Sequence, residues 1–239
     1  MARVLRLDDD PSAAVLDDVE RMVAQGAVVA LPTESFYALG ASIRHAGAVQ
    51  RVWEIKRRPE GKPILVLIPG REWVGSLADG LSATAMILMD RFWPGPLTLI
   101  VRAVAGLPEP LTAGTGTVGI RQSAWPALTK VLRRVGPVTG SSANRAGAPP
   151  PCTAAEVLQG LGADVDLVLD GGPTPGGPPS SVVDTTGPVR LLREGAISRA
   201  QLEAVLNEAG IALGGARAGS GFRSSSERQM GRCSDKEVL

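Results

Sequence analysis

The chain has 239 residues, room for one large domain or two small ones, and is 44% hydrophobic and 21% charged, which suits a globular protein with a sizeable core and argues against a disordered one. Lys and Arg number 25 against 24 Asp and Glu, a net charge of +1, so the chain does not coat nucleic acid through bulk positive charge. One His, two Cys and few aromatics (four Trp, one Tyr, three Phe) argue against a Cys/His zinc site, a disulfide framework and an array of base-stacking platforms.

No apolar run is long enough to span a bilayer and the N-terminus lacks a signal-peptide pattern, so a reducing, cytoplasmic compartment is the expectation. Arg3 to Leu7 reads as an opening strand. Asp10 then precedes Pro11 as an N-cap, and Val15, Leu16, Val19, Met22 and Val23 fall at helical spacing up to Gly26. Ala27 to Leu31 reads as a buried strand and Ala46 to Arg57 as a helix. Strands follow at Ile64 to Ile68, Leu97 to Val101, Thr117 to Arg121 and Pro137 to Thr139, with helices at Ser82 to Phe92 and Trp125 to Arg134 between them. A helix at Thr153 to Gln159, strands at Asp166 to Leu169, Ser181 to Thr185 and Val189 to Leu192, and a helix at Ser198 to Ala209 complete the pattern. Alternation of this kind implies an α/β layered fold on a mixed, largely buried sheet.

From Gly214 apolar periodicity gives way to Gly, Ser and Arg, and 214–239 reads as a disordered tail behind a body at 1–213. The tail carries Arg217, Arg223, Arg228, Arg232 and Lys236 against Glu227, Asp235 and Glu237, so the slight positive balance belongs to it.

Several polar segments stand at strand ends, where open α/β sheets place their ligands. Pro32-Thr33-Glu34-Ser35-Phe36-Tyr37 leaves the strand at 27–31, and read alone it is an ordinary exit loop. Lys56, Arg57, Arg58 and Lys62 crowd four cations into seven residues at a helix end. A solvated helix terminus explains them, but so does polyphosphate binding, which needs convergent cations. Gly140-Ser141-Ser142-Ala143-Asn144 is either a tight turn or a ligand-approaching loop. Gly114, Gly116 and Gly119 spell G-x-G-x-x-G but run into a strand, and position 139 is Thr where an acidic residue belongs, so no dinucleotide fingerprint results.

Taken in order, PTESFYALG, KRRPEGKP, WPGPLTLI, TVGIR, SSANRAG, SSVVD and LLREGAI resemble the YrdC/Sua5 family, the L-threonylcarbamoyladenylate synthases, over roughly residues 28–197. The resemblance implies an α/β fold with a twisted mixed sheet flanked by helices around one large, positively lined cavity. It implies a nucleotidyltransferase that makes threonylcarbamoyl-AMP and pyrophosphate from L-threonine, bicarbonate and ATP, with Mg2+ accompanying ATP and no metal ligands from protein side chains. The product would pass to the tRNA threonylcarbamoyl transferase complex for the t6A modification beside the anticodon, with only weak or transient tRNA contact and no membrane partner.

By the same resemblance Thr33, Arg121 and Ser180 surround threonine, with Arg121 forking to its carboxylate. Lys56, Arg58 and Lys62 are the catalytic cations at triphosphate and carbamate, and Lys56, Arg58, Thr117, Ser142, Asn144 and Arg193 hold ATP. Replacing Lys56 or Arg121 by Ala is then expected to abolish turnover while leaving the thermal transition nearly unchanged. In this chain Gln122-Ser123 follows Arg121 where an aliphatic residue and Pro are usual. Two other readings stand beside this one: a carbamoyl-transfer domain of the same fold, and an RNA-binding protein without turnover.

Overall fold

Strands and helices alternate much as the apolar patterning implies, but the strands divide between two sheets. The computed structural model describes residues 1–57 and 63–215. The strands are β1 (Arg3–Arg6), β2 (Val29–Leu31), β3 (Ala38–Gly40), β4 (Val66–Leu67), β5 (Leu97–Arg102), β6 (Thr117–Arg121), β7 (Val138–Thr139), β8 (Ser141–Ser142), β9 (Leu167–Asp170), β10 (Ser181–Asp184) and β11 (Arg190–Arg193). The helices are α1 (Ala13–Ala24), α2 (Ala46–Lys56), α3 (Ala83–Phe92), α4 (Glu109–Thr112), α5 (Pro126–Val135), α6 (Ala154–Leu161) and α7 (Arg199–Glu208), with a 3-10 turn at Arg71–Ser76.

One sheet has the order β1-β9-β2-β3-β8 and the other β11-β10-β5-β6-β4-β7. Both are mixed: β1, β9 and β2 run parallel while β3 and β8 join antiparallel, and β5 pairs parallel with β10 but antiparallel with β6. β2 explains its continuous apolar run. Val28 and Ala30 face one core with α2 and α6, while Val29 and Leu31 face a second core with α1 and α5, so both sides are buried and no polar alternation survives.

The sheets meet where β7 and β8, one residue apart, pair in different sheets. The Thr139 hydroxyl donates to Leu39 O at 2.8 Å and accepts from Ala41 N at 3.0 Å, tying the seam together at a residue with no exposed surface. Gly140 between them has no room for a side chain, since a Cβ would stand 2.5 Å from Leu67 Cγ and 2.6 Å from Leu65 Cδ1.

Three expectations are corrected. The single sheet is two, because β3 and β8, at three and two residues, are too short to show any periodicity. Ser12, not Asp10, caps α1, its hydroxyl accepting from Val15 N, while Asp10 is drawn to Lys130 Nζ of α5 at 2.7 Å. The strand expected at 64–68 is ordered pairing only over Val66–Leu67. Cys152 is buried. At the other end of the body Gly214 bonds to Val189 O and Leu191 N, and the residues of the expected tail from 216 onward lie outside those described.

Candidate functional site

The sheet of β5, β6, β10 and β11 brings four chain segments to one edge. Since β10 runs parallel to β5 while β6 and β11 run opposite, the starts of β5 and β10 lie beside the ends of β6 and β11. Arg121 ends β6, Ser180 precedes β10 and Arg193 ends β11. Ser180 Oγ lies 2.9 Å from Thr98 Oγ1. Arg193 donates through Nε (3.1 Å) and Nη2 (2.7 Å) to Ser180 O and through Nη2 to its hydroxyl at 3.2 Å. The fork of Arg193 thus lies on Ser180, so a residue expected on the nucleotide side touches one expected on the threonine side.

Arg121 is 5% exposed and is already engaged. Its Nη2 stands 2.7 Å from Glu34 Oε1, a contact of charges without hydrogen-bond alignment, and its Nε donates to Gly95 O at 3.3 Å. The other oxygen of Glu34 accepts from the Ser123 hydroxyl, which also accepts from Trp125 N. Burial pushes the Glu34 carboxyl up, but Arg121 and the Ser123 hydroxyl outweigh it and hold the group below the ordinary carboxylate range. Thr33 folds this loop: its hydroxyl donates to Phe36 O at 2.7 Å and accepts from the backbone N–H groups of Ser35 and Phe36, a local side-chain turn.

The second cluster forms where α2 ends. Lys56, 5% exposed, donates through Nζ to Ser142 O at 2.6 Å, Ser142 Oγ at 3.3 Å and Asn144 Oδ1 at 3.0 Å. Ser142 Oγ donates to Asn144 Oδ1 at 2.5 Å, and the Asn144 amide nitrogen donates to Arg145 O and Ala148 O. Arg57, in left-handed backbone at φ 47°, terminates the helix behind Lys56.

Hydrogen bonds join the two clusters. Ala143 N donates to Tyr37 O at 2.8 Å, in the loop that also carries Thr33 and Glu34. The 171–179 segment straps over that loop, with Gly176 N on Ser35 O and Gly172 O accepting the Tyr37 hydroxyl at 2.8 Å. Burial first, and the Asp170 carboxylate next, raise the Tyr37 pKa, so its hydroxyl remains a donor.

Of the sequence-predicted residues, Lys56, Ser142 and Asn144 form one cluster, Ser180 and Arg193 a second, and Thr33 lies in the loop that pairs with Arg121. Thr117 bonds to the Thr115 hydroxyl and begins the strand that Arg121 ends, about 13 Å away at the rise of an extended strand. Arg58 and Lys62 lie outside the described residues. Glu34, Ser123 and Thr98 were not singled out from sequence. Glu34 was the detectable one, the only carboxylate in the PTESFYALG segment. Among the described residues no group of three or more His, Cys, Asp or Glu is placed to hold a metal ion, and no helix is long and apolar enough to cross a membrane.

A family model described as Sua5/YciO/YrdC, "Telomere recombination", matches residues 21–195. The chain is 36% identical over 188 residues to a threonylcarbamoyl-AMP synthase of Pyrococcus abyssi, covering 78% of this chain and 55% of that protein. It is also 36% identical over 201 residues to a threonylcarbamoyl-AMP synthase of Bacillus subtilis, covering 83% of this chain and 57% of that one. The chain thus spans somewhat over half the length of these two relatives. Among solved structures, P. abyssi Sua5 complexed with L-threonine superposes with a TM-score of 0.82 at 32% identity, over 88% of this chain and 62% of the other.

Proposed function

The chain belongs to the Sua5/YciO/YrdC family, and from that premise we propose that it is a threonylcarbamoyl-AMP synthase, forming threonylcarbamoyl-AMP and pyrophosphate from L-threonine, bicarbonate and ATP. The observation that carries the reading is the likeness to a solved relative complexed with L-threonine, which extends over 88% of this chain.

The threonine amine and bicarbonate form a carbamate with loss of water. A carbamate oxygen then attacks the α-phosphorus of ATP, and pyrophosphate leaves. The main barrier is the accumulation of negative charge on carbamate, triphosphate and carboxylate, so alignment and fixed positive charge suffice and no protein nucleophile is required. That chemistry suits a chain with one His. In this reading Thr33, Arg121 and Ser180 take the threonine end, Arg121 meeting its carboxylate. Lys56, Arg58 and Lys62 face triphosphate and carbamate, with Thr117, Ser142, Asn144 and Arg193 on the nucleotide side of a positively lined cavity. Magnesium enters with ATP as part of the substrate. The product serves t6A modification in the cytoplasm, passing to the enzyme complex that transfers it to tRNA.

The test is pyrophosphate release by the purified chain with ATP, bicarbonate and single amino acids. Release that requires both L-threonine and bicarbonate is the expected result. No threonine-dependent release overturns the reading, and a requirement for carbamoyl phosphate in place of threonine would favour the carbamoyl-transfer alternative.

A further inference from the structure

Holding a substrate carboxylate calls for one cation. The corner at the end of β6 nevertheless contains a cation and an anion of equal charge, both largely withdrawn from water, with the Arg121 and Glu34 side chains 6% and 18% exposed. Burying such a pair is costly, and Ser123, itself 2% exposed, commits its hydroxyl to Glu34. The carboxyl is held in its ionised form by these two partners.

Two consequences follow for Arg121. Its Nη2 faces Glu34 and its Nε faces Gly95 O, so two of the three guanidinium nitrogens are engaged, which leaves Nη1 to meet a ligand without displacing either contact. A two-nitrogen fork onto an incoming carboxylate, as expected from sequence, would require breaking one of them. The second consequence concerns charge. Arg121 and Glu34 sum to zero, so this pair adds no excess positive charge to attract a multiply charged phosphate, whereas Arg193 lies on the Ser180 side of the edge. A zwitterionic amino acid, itself neutral, gains a directional contact to Nη1 and faces no net charge from this pair.

We infer that Glu34 is a positioning and specificity-determining residue: it fixes the Arg121 guanidinium and cancels its charge, so that this corner accepts an amino-acid zwitterion and turns away phosphate anions. This rests on the threonine chemistry proposed above and deepens it, by explaining how one site keeps its amino-acid end clear of the phosphate-rich co-substrate. Ser123 supports Glu34 from behind.

The experiment uses the full chain with Glu34→Gln, which keeps the shape and removes the charge, and Glu34→Asp, which keeps the charge and shortens the reach. For Glu34→Gln the KM for L-threonine should rise by at least about tenfold with a smaller change in kcat. Inorganic phosphate should inhibit this variant competitively with threonine, and should not do so for the wild type. Glu34→Asp should restore rejection of phosphate while its KM stays raised. An unchanged threonine KM and an unchanged phosphate pattern in Glu34→Gln overturn the inference. If that variant does not fold, Ser123→Ala decides, since it leaves both charges in place. A threonine KM raised a few-fold supports the role, and an unaltered KM overturns it. If the wild type shows no threonine-dependent turnover, the functional reading has failed separately. Calorimetric titration with phosphate still decides the charge argument: binding gained by Glu34→Gln supports it, and equal weak binding by both proteins overturns it.

Discussion

Lys56 is a residue type that ordinarily keeps its ammonium in water, yet it is 5% exposed and its Nζ donates to three acceptors in Ser142 and Asn144. Those bonds change what its removal should do. From sequence alone, Lys56→Ala and Arg121→Ala are expected to cost turnover and little stability. In the structure Lys56→Ala removes a charge-assisted donor from Ser142 O and Asn144 Oδ1, and Arg121→Ala leaves the largely buried Glu34 carboxylate without its cation. Losing one member of a buried charged pair costs about 3 kcal/mol or more, and a lost charge-assisted hydrogen bond about 2 kcal/mol. At this size each kcal/mol lowers the melting midpoint by about 2–4 °C. Both variants are therefore expected to lose turnover and to melt several degrees lower, Arg121→Ala by more. Equal midpoints for variants and wild type in a thermal scan would refute this account of the two clusters. The residue types of the candidate site could be picked out in the sequence only by taking the segments together, because each alone reads equally as an exit loop, a solvated helix end or a tight turn. The partners were not legible, since Glu34 and Arg121 are 87 positions apart and only the fold reveals which carboxylate a buried arginine meets.

At the scale of elements, the site depends on close approach between strands that the sequence places far apart. Gly195, just after β11, illustrates this: a Cβ there would lie 2.1 Å from Pro179 O and 2.8 Å from Ser180 C. Both are backbone atoms and cannot rotate away. The same crossing is held by Ala196 N on Pro179 O and by the Ser181 hydroxyl, which accepts from Gly195 N and Ile197 N and donates to Ile197 O. Gly195→Ala must push the Ser180 segment away from the end of β11, breaking the seat of Arg193 on Ser180. It is expected to raise the threonine KM and lower the melting midpoint together. Gly187→Ala, where a Cβ meets nothing within 4 Å, is the control and should match the wild type in both. A Gly195→Ala protein with normal kinetics would show that this crossing has slack. Long elements with a clean apolar period, such as α1, α5 and β5, could be read from the sequence. The short strands β3, β7 and β8 take their pairing from tertiary contacts such as those of Thr139, and so the division into two sheets could not.

Over the whole molecule the net charge of +1 conceals a structure in which carboxylates are matched to particular cations. Asp166 takes Arg51 on both oxygens, at 2.9 and 3.1 Å, and also accepts from Val28 N. Asp184 takes Arg190 together with the backbone and hydroxyl of Thr186, and Glu34 takes Arg121. In all three, burial pushes the pKa up and the bonds to these partners overcome it, leaving the group below its ordinary value. A folded-state pKa below the unfolded one means the unfolded chain binds the proton more readily. Stability from these groups is therefore complete above the unfolded values, 3.8 for Asp and 4.5 for Glu, and is lost as pH falls through the lower folded values. The urea midpoint is expected to hold steady from pH 7 to about 5 and then to fall steeply toward pH 3. Asp184→Asn removes one of the three titrations. The variant should be less stable than the wild type at pH 7, with a shallower fall below pH 5, so that the two curves converge in acid. Parallel curves would show that Asp184 contributes nothing to the acid sensitivity, and a wild-type midpoint that stays flat to pH 3 would show that none of these pairs does.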